Sequence, residues 1–305
     1  MTRLPQIGWL ADGRRLHLQD GPIDLIVEAR GAQVMVRAAY EAAIRRFTGL
    51  LDELCEELPK LRRAAQPHTR SLKGHVARRM HDAVAPFAAD GFITPMAAVA
   101  GAVAEEILGA MTEAADLDRA YVNNGGDIAL HLGESQSFSV GLVDRPDRLS
   151  LIGRTRIAAE DTTRGVATSG WRGRSFSLGI ADAVTVLARN AAQADAAATV
   201  IANAVDLPGH SAVARGPAHD IQPDSDLGAR LVTLNVGHLP FFDIADALEA
   251  GAVCARRLVA AGLIDGAALH LQGETRIVAL KDIGQKSYKP LQDTAREKAE
   301  SLMDA

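Results

Sequence analysis

The sequence predicts an α+β protein of two lobes, with largely antiparallel sheets packed with helices. Short apolar segments separated by glycine and asparagine turns crowd residues 120–188, the signature of strands joined by hairpins. Segments with apolar residues at helical spacing lie around them, at 36–61, 92–114 and 243–263. The strands come in runs, not in strict alternation with helices, which argues against regular βαβ winding. We expect one two-lobed domain over 1–285 and a charged tail over 286–305.

Bulk properties narrow the classes. With 305 residues and 48% hydrophobic content, the chain can bury a sizeable core. A formal net charge of −5 lacks the basic footprint of a nucleic-acid binder. The two cysteines, Cys55 and Cys254, sit in helical apolar patterns without CxxC spacing, so no disulfide framework is expected. No apolar run approaches the ~20 residues that span a bilayer, and the N-terminal residues lack a signal-type apolar stretch. The expected setting is the cytoplasm, without nucleic acid or membrane as partner; a homo-oligomer stays open.

Element by element, RLHLQ and PIDLIVEA read as hairpin strands after turns at Asp12-Gly13 and Gly21-Pro22. Val36 to Leu61 reads as one long amphipathic helix, followed by the basic connector AAQPHTRSLKG and a short helix ended by Pro86. A helix beginning near Pro95 is rich in alanine and glycine, which lets its backbone approach a neighbour or a ligand closely. AYVNN, DIALHLG, SFSVGLV, LSLIGRTRIAA and GVATSG then suggest a meandering antiparallel sheet. AVTVLA is a buried strand, and NAAQADAAATVIANAV a helix capped by Asn190. ARLVTLNVG and ALHLQGETRIVAL read as strands flanking a last amphipathic helix at 243–263.

Three constellations carry chemistry. In the 190–205 helix, Asp195 and Thr199 are four residues apart, so a carboxylate and a hydroxyl share one face and offer hard oxygens of the kind Mg²⁺ prefers. A polar stripe facing solvent fits the same spacing. In the NNGGDI turn, Asn124, Gly125, Gly126 and Asp127 offer amides and a carboxylate to a ligand, or simply close a hairpin. In ATSGWRGRS, Thr168, Ser169 and Gly170 with Arg172 would suit a phosphate, although neither a Walker loop nor GxGxxG is present.

In this order, VNNGGDI, ATSG, AVTVL and DAAAT resemble the ApbE family of flavin transferases, whose motifs are VNxGGDI, ATSG, an SVTVL-type strand and DAxxT. The resemblance covers roughly residues 90–205 and lies closest to the family's uncharacterised cytoplasmic relatives. It implies the two-lobed ApbE-like fold. It also implies Mg²⁺ held by Asp195 and Thr199, and FAD or a related phosphorylated ligand held by the two glycine-rich turns. FMN transfer to a protein acceptor is the family's reaction. Two departures stand out: the His-Ile-x-x-Pro segment between ATSG and the VTV strand is replaced by GRSFSLGIAD, and the usual lysine of the small-residue helix by Ala100-Gly101-Ala102. The catalytic base is thus unassigned. A hydrolase using the TSG/Arg loop without flavin, or a non-catalytic binding protein with the tail as contact arm, are the alternatives.

Overall fold

A computed structural model describes residues 4–67, 71–144, 151–279 and 289–290. In chain order the first half holds β1 (Gln6–Trp9), β2 (Leu16–Asp20), β3 (Ile23–Arg30), α1 (Gln33–Phe47), α2 (Leu50–Leu61), α3 (His75–Val84) and α4 (Val99–Ala114). The second half holds β4 (Arg119–Asn124), β5 (Asp127–Leu132), β6 (Ser137–Val143), β7 (Leu151–Ala158), β8 (Gly165–Ser169), β9 (Ala183–Ala188) and α5 (Ala191–Ala204). It then continues with β10 (Val213–Pro217), α6 (Ala218–Ile221), β11 (Leu231–Val236), α7 (Phe241–Ala260), β12 (Gly266–Leu271) and β13 (Glu274–Ala279). A two-residue strand, Lys289–Pro290, adds to β7; the rest of the expected 286–305 tail lies outside the described residues.

Nine strands form one sheet in the order β1-β2-β3-β4-β5-β8-β9-β12-β13, every pair antiparallel. The chain is not the continuous meander that the strand run suggested. After β5 it leaves the sheet, builds the β6–β7 hairpin as a separate layer, and returns at β8 to pair beside β5. A second pair, β10–β11, stands apart from the main sheet.

Strand alternation gives the sheet two different faces. Leu25, Val122, Ala129, Ala167, Val186 and Leu269 project to one face and merge with the helices in the main core. Leu130, Val166 and Leu187 project to the other, where they meet Ile157 of β7 in a smaller core. The alanine-rich sequence of α5 lets it lie flat on the sheet: eight of its residues, six of them alanines between 191 and 198, are buried.

The long helix expected over 36–61 is in fact two. Gly49 takes a left-handed conformation (φ 83°) between α1 and α2, which a side chain would oppose, so the amphipathic pattern continues across a turn that periodicity alone does not reveal. Pro95 opens a 3₁₀ turn, Pro95–Ala98, whose start is capped by the Thr94 hydroxyl accepting from the Met96 amide. α4 follows directly.

Candidate functional site

Two helix N-termini meet under the middle of the sheet. Gly101 in the first turn of α4 lies against the start of α5 so closely that a Cβ there would come within 2.2 Å of the Ala191 carbonyl oxygen. Each helix then lends a carboxylate to the other. Asp195 of α5 accepts the Gly101 amide of α4 at 3.0 Å, and Glu105 of α4 accepts the Ala192 amide of α5 at 2.7 Å. First-turn amides lack partners within their own helix, and the positive end of the helix dipole favours an anion there. Arg79 steadies this arrangement through Glu105 at 3.1 Å and Glu106 at 2.8 Å. The cap of α5 is the expected one, with the Asn190 side chain accepting from the Gln193 amide at 2.8 Å.

Above this junction stands the NNGGDI turn. Gly125 and Gly126 (φ 66° and 119°) carry the two-residue hairpin between β4 and β5, and the Gly126 amide donates to the Asn123 side chain at 2.8 Å. Asn124 and Asp127 face each other across the turn, on the helix side of the sheet. The Asn124 side-chain amide donates to the Ala100 carbonyl at 3.2 Å, tying the turn to the α4 terminus. Asp127 accepts the Thr168 amide at 3.3 Å, tying it to β8.

Two carboxylates therefore converge in packed surroundings. Burial pushes Asp195 up to about 7, opposed by the α4 amides. Burial first, and then the charge of Asp195, hold Asp127 well above the usual carboxylate range. Both retain some solvent access. Like charges held together out of water call for a proton or a cation between them. Among the described residues no group of three or more His, Cys, Asp or Glu forms a metal cluster. A divalent ion here would be held by the two carboxylates and completed by hydroxyl and carbonyl oxygens, with Thr199 one turn along α5 and partly exposed. That donor set fits Mg²⁺.

The residues singled out from sequence are divided between the two faces. Asn124, Asp127 and Ser169 share the helix side with Asp195. The Thr168 side chain points to the opposite side, where its hydroxyl lies 2.9 Å from that of Thr185; only its backbone reaches Asp127. Arg172 is occupied: its Nε donates to the buried Asp182 at 2.7 Å, and its guanidinium stacks 4.2 Å from the Trp171 ring. Asp182 also accepts from Trp171 Nε1 at 3.1 Å and from the Gln272 amide at 2.7 Å. Arg174, by contrast, is exposed and lies over the NNGGDI turn, its Nη1 3.0 Å from where a Cβ on Gly125 would be. Glu105 and Asp182 gave no signal in sequence, because Glu105 caps an amide 87 positions away and Asp182 joins Trp171 and Arg172 to a residue 90 positions away; for Asp182 only its place at the head of a continuous apolar strand could have drawn attention. Two grooves, about 320 and 460 Å³, open beside Arg79, Glu105 and Asn190, and neither is lined by Asp127 or Asp195.

Comparison with known proteins places this architecture. A family model described as AbpE bacteria matches residues 7–277. The chain belongs to this family. Among its relatives, a UPF0280 protein of Methanopyrus kandleri is 36% identical over 182 residues, covering 59% of this chain and 69% of that protein. A UPF0280 protein of Methanothrix thermoacetophila is 41% identical over 118 residues, 37% of this chain and 46% of that one. The chain thus spans a little over two thirds of the first relative and less than half of the second. A crystal structure of the flavinyl transferase ApbE from Pseudomonas stutzeri, in apo form, is 11% identical with a TM-score of 0.44, over 91% of this chain and 95% of that one. At that TM-score the likeness decides nothing further. Among the described residues no helix is long and apolar enough to cross a membrane.

Proposed function

We propose that this AbpE-family protein binds FAD, or a related phosphorylated ligand, together with Mg²⁺ at the junction of α4, α5 and the NNGGDI turn, and that it acts as a cytoplasmic flavin transferase. The observation that carries the reading is the meeting of Asp127 and Asp195. Two carboxylates packed together, with the charge of Asp195 raising the pKa of Asp127, are poorly explained as structure alone, since one carboxylate suffices to cap α4. When bound, Mg²⁺ would neutralise the pyrophosphate and the charge developing on the leaving group.

The chain's own residues then have separable tasks. Asp195 and Asp127 supply the charge that holds the cation, with Thr199 as a neutral oxygen. Asn124 fixes the turn to Ala100, so the turn and the α4 terminus move together. Gly125 and Gly126, without side chains, leave the turn open to close approach, and Arg174 brings a cation above it for a phosphate oxygen. The two-lobed domain over 1–285 supplies the frame, and a protein acceptor completes the reaction. A hydrolase at the TSG/Arg loop has less support, because Arg172 is held by Asp182 and the Thr168 hydroxyl by Thr185.

The test is direct. Dialysed protein titrated with FAD should change flavin fluorescence only when Mg²⁺ is added, and Asp195→Ala should lose the change. Absence of binding in the unaltered protein ends the proposal.

A further inference from the structure

The nine-stranded sheet is left open at its β1 edge, which the flavin reading does not use. An unpaired edge is a template for another strand, and proteins usually blunt it with charge, proline or a covering element. The opposite edge follows that rule: β13 carries Glu274 and Arg276 and packs against α7. At β1 the sequence from Leu4 to Ala11 carries no charge, and all four residues of the strand are exposed. Leu4, Ile7 and Trp9 stand 76, 48 and 57% exposed, an unusual cost for apolar side chains grouped at one margin. Pro5, which has no N–H, bounds the open stretch on one side, and the turn closed by the Gly13 amide on the Leu10 carbonyl bounds it on the other.

Pairing with β2 fixes which backbone groups of this edge are free. The Leu10 amide donates to the Arg15 carbonyl at 2.9 Å, closing the β1–β2 hairpin. Antiparallel partners alternate between hydrogen-bonded and non-hydrogen-bonded pairs, so the N–H and C=O groups of Gln6 and Gly8 face β2, while those of Ile7 and Trp9 face outward. Side chains alternate between the two faces of the sheet. Ile7 and Trp9, opposite Leu18 and Leu16, project to the helix side, where Trp9 meets the Tyr40 ring edge-on at 5.1 Å. Gly8, opposite His17, belongs to the open side. A Cβ at Gly8 would meet nothing within 4 Å, and its φ lies outside the left-handed region.

We propose that β1 pairs with β1 of a second copy of the chain, antiparallel about a two-fold axis at Gly8, so that two nine-stranded sheets join edge to edge. In that register Ile7 lies opposite Trp9 of the partner subunit. Their outward groups form a hydrogen-bonded pair, with two bonds in each of the two symmetry-related pairs. On the helix side the same residues meet as a β-branched and an aromatic side chain across the strands, a favourable pairing that extends the Trp9–Tyr40 contact. No charge faces its own copy across the axis, because the strand has none. The register is specific. Moved by one residue, it would set outward groups against groups already turned to β2. Moved by two, it would oppose Trp9 to Pro5, which has no N–H, or Ile7 to Ala11, which lies in the turn. The exposed side chains and edge backbone amount to roughly half of the ~800 Å² per partner of a standard interface, so the association is reversible and follows concentration.

The dimer is independent of the flavin reading and is tested on the full chain without flavin. Sedimentation should show a monomer passing reversibly to a dimer as concentration rises. Ile7→Pro removes an outward amide that β2 does not use, and the loss of one donor from each chain should weaken dimerisation about tenfold or more. Gly8→Lys sets like charges face to face on the axis and should weaken it a few-fold, with recovery in high salt; if Ile7→Pro proves unstable, this variant decides. Register is read in a Cys55→Ser, Cys254→Ser background. There Gly8→Cys puts two thiols on a non-hydrogen-bonded pair with Cα atoms about 4.5 Å apart, and mild oxidation should give a disulfide dimer. Gln6→Cys, on the same face but ~14 Å from its own copy, should not cross-link. A monomer at every concentration, a dimer that neither Ile7→Pro nor Gly8→Lys weakens, or cross-linking as fast in Gln6→Cys as in Gly8→Cys overturns the proposal.

Discussion

The two faces of the nine-stranded sheet obey different rules. The helix-covered face is dry, built of alanine, valine and leucine, and its few polar groups are held by helix termini: Asp195 by Gly101, Asn124 by Ala100. The other face is only partly roofed, by β6–β7, and its polar groups hold one another, as with Thr168 and Thr185 or His17 and Asp24, or rest on an aromatic ring, as with Arg119 over Phe138. The difference teaches that a motif on a strand is two half-motifs. Neighbouring residues such as Thr168 and Ser169 are dealt to opposite faces, however contiguous they look in sequence.

Variants can break that distinction, beginning with the junction of the two helices. Gly101→Val places side-chain atoms where the α5 backbone already lies, so it should cost about 4 kcal/mol or more in denaturant unfolding and abolish flavin binding with it. A substitution of equal bulk on the open face, Thr275→Val, should cost no more than about 1 kcal/mol.

The second prediction concerns pH in the absence of divalent cations. A carboxyl whose folded pKa is raised holds its proton more tightly in the folded chain, so its stabilisation is complete below the unfolded value and is lost as pH rises towards the folded one. For Asp195, pushed from 3.8 to about 7, unfolding free energy should fall across that interval, by about 3 kcal/mol after allowance for partial solvent access. Asp127 acts in the same direction. Asp195→Asn should flatten the decline, and Mg²⁺ should reverse it at pH above 7 if the carboxylates hold a cation. A pH profile unaffected by either change would mean that the pair is already neutralised from within the protein.

Smaller effects follow at the reciprocal cap. Glu105→Gln weakens the bond to the α5 amides and the link to Arg79, and should lower stability by about 1–2 kcal/mol while leaving Mg²⁺ affinity within a few-fold. Smallest of all, Thr168→Val removes one hydroxyl contact on the open face, with about 1 kcal/mol lost and flavin binding retained, because the tie to Asp127 runs through the Thr168 backbone. Loss of flavin binding in Thr168→Val would place the ligand on the open face.

Much of this was legible beforehand. Most strands and helices follow from periodicity and turn chemistry: Asn190 capping α5, Pro95 opening the approach to α4, the Gly125-Gly126 pair at the β4–β5 hairpin. The order of NNGGDI, ATSG and DAAAT gave the family. What was not legible came from long-range pairing. The break at Gly49 leaves the amphipathic pattern intact, and the detour of β6–β7 looks in sequence like two more members of a meander. His270 carries no signal in sequence, because a histidine in an apolar strand is unremarkable until its cross-strand neighbours, Ala183 and Thr275, are known.

By itself, then, the sequence determined the elements, their antiparallel character and the spacing that puts Asp195 and Thr199 on one helix face, because these depend on interactions within a few residues. Only the tertiary structure decided that Asp195 would meet Asp127 at the amides of a second helix, that Arg172 would be claimed by Asp182, and that Thr168 and Ser169 would part company. Those outcomes depend on which strands are neighbours and which face the helices cover, and both are set by burial of the whole chain, where no local pattern reaches.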